Sequence, residues 1–315
     1  MHPALSVIFF TVASGAGFGL VAVVAALELL GGVPGLGRDG TLFAIGLGVL
    51  LATAGLLSST LHLANPKNAW RAFFRFRSSW LSREGVFSVL FYPVMAVYVL
   101  GLWVHGGAEA STWTWVFALL MLVLALATVF TTGMIYASLR TIPQWHNALV
   151  PANYLLLGLA SGAVLLTAII GLAGAGAGAA VVGQLALTLV VLAGIAKAVY
   201  YYWIGQPQGP SINTAVGLTR GRVRLLESGQ SSQTFLDREF GFQPPAALLA
   251  RLRLVVYVAG FVLPIALLLT LLATGQGAWG LPAAVLLLGG LLVERWLFFA
   301  EARHTVNLFY GQQRC

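Results

Sequence analysis

Three groups of residues in this chain have types and spacings suited to chemistry. His62 stands at the end of a long apolar run beside Ser58 and Ser59, and Pro66, Trp70 and Arg71 follow it. A neutral imidazole can hydrogen-bond a quinone carbonyl or a quinol hydroxyl and exchange a proton near neutral pH. Ser59, Trp70 and Arg71 can reach the same depth after the Pro66 turn, so these four residues make a candidate quinone head-group site. The same position also suits a histidine that simply closes a helix end at an interface. In the second group, Lys197, Glu294 and Arg295 lie inside apolar runs, where a charge is costly unless paired or functional. A Lys197–Glu294 ion pair is within geometric reach, either as packing or as part of a proton route. The third group is basic and aromatic: Arg75 and Arg77 in one polar stretch, and Arg220, Arg222, Phe235 and Phe240 in another. It reads as a docking surface for a partner, with attraction of phospholipid heads as the alternative for the arginines. Trp70, Trp80 and Trp145 read as interfacial anchors, and Glu28 as a carboxylate that snorkels to the membrane surface.

The elements that position these groups are transmembrane helices. Of the residues 59% are hydrophobic and 8% charged, with a mean hydropathy of +0.90, too apolar for a water-soluble domain. The chain reads as all-α, a single polytopic membrane domain over 1–315 with eight transmembrane helices. The spans are expected near 5–30, 42–61, 86–104, 113–136, 152–172, 181–203, 252–272 and 279–299, the first retained and not cleaved. Each is long enough for a hydrocarbon core of about 30 Å. Gly15 and Gly19 give the first span a GxxxG spacing, which reads either as a face on which another helix packs closely or as plain small-residue enrichment. Pro93 and Pro264 fall inside spans and predict local kinks. The Gly/Ala stretch 171–180 lacks the strand and the acid of a nucleotide-binding loop and reads as a link between spans.

Eight spans put the loops 62–85, 137–151 and 205–251 on one side, together with both ends of the chain. The opposite loops hold one basic residue, Arg38, of seventeen in the chain, so the large loops and both termini are expected to be cytoplasmic. The formal charge of +8 is explained by this orientation and not by nucleic-acid binding. The one cysteine, Cys315, excludes a cysteine-ligated iron–sulfur cluster within this chain, and no second histidine across the bilayer completes a six-coordinate haem site. No nucleophile elbow, HExxH or EF-hand pattern marks a self-contained catalyst. A secondary transporter would show internal repeats or paired broken helices, to which Pro93 and Pro264 add only a faint signal.

The segments His2-Pro3-Ala4, Ser59-Thr60-Leu61-His62-Leu63, Ala69-Trp70-Arg71-Ala72, Ser79-Trp80-Leu81-Ser82-Arg83-Glu84, Thr141-Ile142-Pro143, Thr219-Arg220-Gly221 and Arg238-Glu239-Phe240-Gly241-Phe242 resemble the anchor subunits of dimethyl sulfoxide reductases. Among these they are most similar to the anchors of cytoplasmic, quinone-linked sulfite dehydrogenases. Ala64 and Asn65 depart from the family's usual turn. The resemblance implies an inner-membrane anchor without haem or cluster that binds ubiquinone or menaquinone, with His62 at the quinone site. Its partners would be an iron–sulfur electron-transfer subunit and a molybdopterin catalytic subunit, besides membrane lipid. The expected direction is from sulfite to quinone. The alternative is a quinol-oxidising anchor of a dimethyl sulfoxide or related reductase.

Overall fold

The computed structural model describes residues 2–61, 65–105, 112–206, 209–218, 220–227, 232 and 240–315. Among them are eight helices long and apolar enough to cross a membrane. They are α1 (Leu5–Leu29), α2 (Arg38–Thr60), α3 (Trp80–His105), α4 (Thr112–Ala137), α5 (Leu149–Leu172), α6 (Gly176–Gly205), α7 (Ala246–Thr274) and α8 (Gly280–Ala300). Hydrocarbon offers no partner for backbone amides, and a helix satisfies them all internally. Glycines in the left-handed region end or join the helices where other residues would be strained, as Gly275 does after α7 at φ 69.

Apolar on every side, α1 runs through the centre, buried without interruption from Ala16 to Ala25. It packs on α2, α4, α5 and α8. Of the Gly15–Gly19 pair, Gly19 makes the close approach, and its counterpart is Gly158–Gly162 of α5. A Cβ on Gly19 would overlap the Gly158 carbonyl, and one on Gly162 would fall on the backbone of Gly19 and Leu20. The two backbones meet this closely because Gly19 and Gly162 have no side chain, whereas a Cβ on Gly15 would meet nothing within 4 Å.

Pro264 has a specific accommodation. The turn Val258–Val262 is a π-helix directly before α7 resumes at Leu263. A proline ring presses on the carbonyl four residues back, here Gly260, and the wider turn makes room for it. Gly260 in turn lies against Gly290 of α8.

Several helices begin before the expected span edges. The largest differences are equal: α7 starts at Ala246, and α3 starts at Trp80 and takes in Ser82, Arg83 and Glu84, a polar run expected to belong to the preceding loop. Ser79 precedes it, accepting from Ser82 N through its hydroxyl at 3.4 Å and from Arg83 N through its carbonyl at 3.2 Å. The Gly/Ala link also shrinks, because α6 begins at Gly176.

The connections gather on two faces. One, the loop face, holds the 3₁₀ segment Pro66–Arg75, the 138–148 link, the described parts of 206–245 and the chain end. The chain end stitches this face together: Thr305 N donates to Thr141 O at 2.9 Å, Ile212 N to Gln313 O at 3.0 Å and Arg303 N to Gln144 Oε1 at 3.0 Å. His2 reaches the same face, its ring 5.2 Å from that of Phe242.

Candidate functional site

The 3₁₀ segment lies on the start of α3 and is tied to it by Ser82, whose hydroxyl donates to Ala72 O. Arg83 closes the far end, donating to Phe76 O at 2.9 Å and Arg77 O at 2.8 Å while its guanidinium sits 4.0 Å over the Trp80 ring. Beneath this clamp is an apolar slot of about 530 Å³, walled by Phe76, Trp80, Phe87, Ala127, Phe130 and Thr131. Trp80, Glu84 and Phe87 recur at helical spacing on α3. Glu84 is buried against α4, where the Thr132 hydroxyl donates to its carboxyl. Among the described residues no cation forms an ion pair with it.

Of the candidate quinone residues, Ser59, Trp70 and Arg71 are described, and none of the three lines this slot. Trp70 is 56% exposed, edge to face with Phe74 at 5.8 Å, and the Arg71 guanidinium lies 5.7 Å from the Trp70 ring. Ser59 is half-buried and donates to Leu56 O at 2.7 Å, which leaves its lone pairs for an outside donor. Ser58 instead turns inward, onto Ser6 O of α1. His62 lies outside the described residues, as does Phe235.

Lys197 and Glu294 form an ion pair, fully buried between α6 and α8. It is part of a larger set, because Arg295 Nε reaches the other Glu294 oxygen at 2.5 Å. Aromatic faces surround both cations: Lys197 Nζ is 4.1 Å from the Tyr200 ring and 4.7 Å from Tyr201, and the Arg295 guanidinium is 4.3 Å from Tyr154 and 4.9 Å from Phe298. The cluster continues toward the loop face. Arg253 lies 5.1 Å over Tyr201 and pairs with Glu301 at 2.6 Å. Glu301 follows the last turn of α8, and burial raises its pKa above the ordinary carboxylate value while Arg253 partly offsets that. Sequence reasoning misses both Arg253 and Glu301. Arg253 lies at the edge of the expected seventh span and Glu301 just past the eighth, and nothing local signals a pair 48 residues apart.

Trp145 is corrected from interfacial anchor to core. It is 2% exposed, stacked on Phe298 at 5.3 Å, and its indole N–H donates to Phe298 O at 3.0 Å. Of the candidate docking residues, Arg75, Arg77, Arg220 and Arg222 are exposed, whereas Phe240 is half-buried and stacked on His304 at 4.6 Å. The described part of 206–245 packs on the chain end, and the 3₁₀ segment on α3. Among the described residues no group of three or more His, Cys, Asp or Glu could hold a metal ion.

A family model, the DMSO reductase anchor subunit (DmsC), matches residues 1–312. A sulfite dehydrogenase subunit of Allochromatium vinosum is 33% identical over 330 aligned positions, which cover 98% of this chain and 99% of the relative.

Proposed function

Because the chain belongs to the DMSO reductase anchor subunit family, we propose that it is the membrane anchor and quinone-binding subunit of a molybdopterin oxidoreductase. An iron–sulfur subunit lies over the loop face and exchanges electrons with ubiquinone or menaquinone held beneath it, and a molybdopterin subunit is the third member of the complex. The family match over nearly the whole chain carries this reading. The loop-face geometry supports it, since an apolar slot and a buried carboxyl lie within two turns of the start of α3. A quinone needs an apolar path for its tail and a hydrogen-bonding, proton-exchanging end for its head.

In this account His62, Ser59, Trp70 and Arg71 meet the quinone head and Glu84 handles a proton. Lys197, Glu294 and Arg295 act as a structural brace, because a carboxylate held between two cations is already committed. Arg75, Arg77, Arg220 and Arg222 steer the iron–sulfur subunit, and Phe240 supports that surface from within. The excess of basic residues on this face favours a cytoplasmic position for it and for both termini.

Two partner reactions remain in play, each with its own observation. The family description names a dimethyl sulfoxide reductase, which favours electrons drawn from quinol. The relative from Allochromatium vinosum is named for sulfite dehydrogenase, which favours electrons delivered to quinone. Assaying the purified complex with sulfite plus quinone, and with quinol plus dimethyl sulfoxide, separates them. In whichever direction is active, His62→Ala is expected to leave insertion and assembly intact, abolish most quinone-linked turnover and spare turnover with a soluble redox dye. Full quinone-linked activity in that variant would remove His62 from the site.

A further inference from the structure

At the end of the bundle opposite the loop face there is a cavity of about 710 Å³ that the electron-transfer role does not use. It lies where α1 stops and α2 starts, against α3 and α4. Its lining is chemically uneven. Glu28, in the last turn of α1, supplies a carboxylate, and Thr41 a buried hydroxyl. Tyr98 of α3 is only 2% exposed, and its hydroxyl lies beside the Glu28 carboxylate without a hydrogen bond of ordinary geometry to it. A buried hydroxyl so loosely held is costly, and its oxygen can still accept from an outside donor placed between it and Glu28. Arg38 stands at the mouth, in the first turn of α2, 37% exposed and paired with the exposed Asp39. Leu102 and Trp115 provide an apolar wall.

Two further observations narrow the ligand. A hydrogen bond of 2.8 Å between Thr53 and Tyr92 joins α2 to α3 near mid-membrane, and the two helices otherwise hardly touch. The cavity therefore has no continuous helix wall between them on its bilayer side. Gly37 also lines it, and a Cβ added there would meet nothing within 4 Å. Its backbone, at φ −82, does not require glycine, so the missing side chain leaves space and not conformational freedom.

Acceptors inside, a guanidinium at the mouth and an apolar flank open to lipid fit a zwitterionic amphiphile with its cation inward and its phosphate outward. A primary ammonium has three N–H donors, matching the Glu28 carboxylate and the Tyr98 and Thr41 hydroxyls. A quaternary ammonium has none. We propose that this cavity binds the head group of a primary-amine phospholipid, with its ammonium on Glu28 and Tyr98, its phosphate at Arg38 and the first acyl carbons along Leu102 and Trp115. This site goes beyond the quinone reading and does not depend on it.

The test uses the full chain, extracted from its own membrane and exchanged into nanodiscs of equal parts ethanolamine and choline phospholipids with matched acyl chains. Lipid that stays bound through a detergent wash is counted by mass spectrometry. The wild type is expected to hold the ethanolamine lipid with about tenfold preference, the scale of a charge-assisted hydrogen bond. Glu28→Gln and Gly37→Leu should each remove that preference while the protein stays monodisperse and helical. If Gly37→Leu fails to fold, Tyr98→Phe decides in its place. No preference in the wild type, a preference unchanged in the folded variants, or a quinone retained where the lipid should be would each overturn the proposal.

Discussion

Glu84 and Glu294 are both buried carboxyls in the third of the bundle nearest the loop face, yet their surroundings have little in common. Glu294 lies between Lys197 and Arg295, and aromatic rings close over both cations. Glu84 receives one hydroxyl, from Thr132, and stands behind an aromatic slot. A carboxylate that balances two buried cations holds helices together, and moving its proton would unbalance the set. A carboxyl with one neutral donor can change its charge without stranding a partner. The pair separates a brace from a working group, a distinction that burial alone would miss.

Substitutions can break or sharpen this contrast. The largest effect is expected from Glu294→Ala, which leaves two buried cations without their anion. Breaking such a set costs about 3–5 kcal/mol, so little folded chain should be recovered from membranes, whatever the acceptor in the assay. Glu84→Gln keeps the shape and the acceptor for Thr132, so the complex should assemble at wild-type yield. Its quinone-linked rate should fall about a hundredfold, the usual scale of a lost proton transfer, with the soluble-dye rate unchanged. If Glu84→Gln were lost from membranes and Glu294→Ala were not, the two roles would have to be exchanged.

The smallest effect concerns Glu301. Burial raises its pKa in the folded state, so the native protein holds this proton more firmly than the unfolded chain. The resulting stability is full below the ordinary carboxylate range and is lost as pH rises through the raised value. Thermal unfolding of the solubilised chain between roughly pH 4 and 8 should therefore show a decline that Glu301→Gln removes. An identical decline in the variant would assign it to other groups.

Much of this architecture is legible in the residues alone. Spans follow from hydropathy, and Lys197 points to Glu294 because a charge in hydrocarbon needs a partner. The third member, Arg295, is visible as a neighbour, but its grip on the same carboxylate depends on side-chain direction. Glu84 looks like loop in the sequence because Ser82-Arg83-Glu84 is a polar run. The chain becomes helical at Trp80, and the partner of Glu84, Thr132, is 48 residues away. Trp145 misleads for a similar reason: beside Arg140 and His146 it resembles an interfacial tryptophan, but the link folds back and delivers its indole to Phe298. Gly158 and Gly162 sit in an ordinary apolar run, and only the crossing with α1 shows why they are glycines. Local patterns report depth in the membrane; they do not report which helices meet.

The central claim, that quinone is bound under the loop face, is tested most directly by photolabelling with an azido-quinone followed by peptide mapping. The account predicts label on peptides from 58–88 and 127–132, competed away by unmodified quinone and reduced in Glu84→Gln. Competed label confined to the opposite end, around Glu28, Tyr98 and Trp115, with none on those peptides, would contradict it.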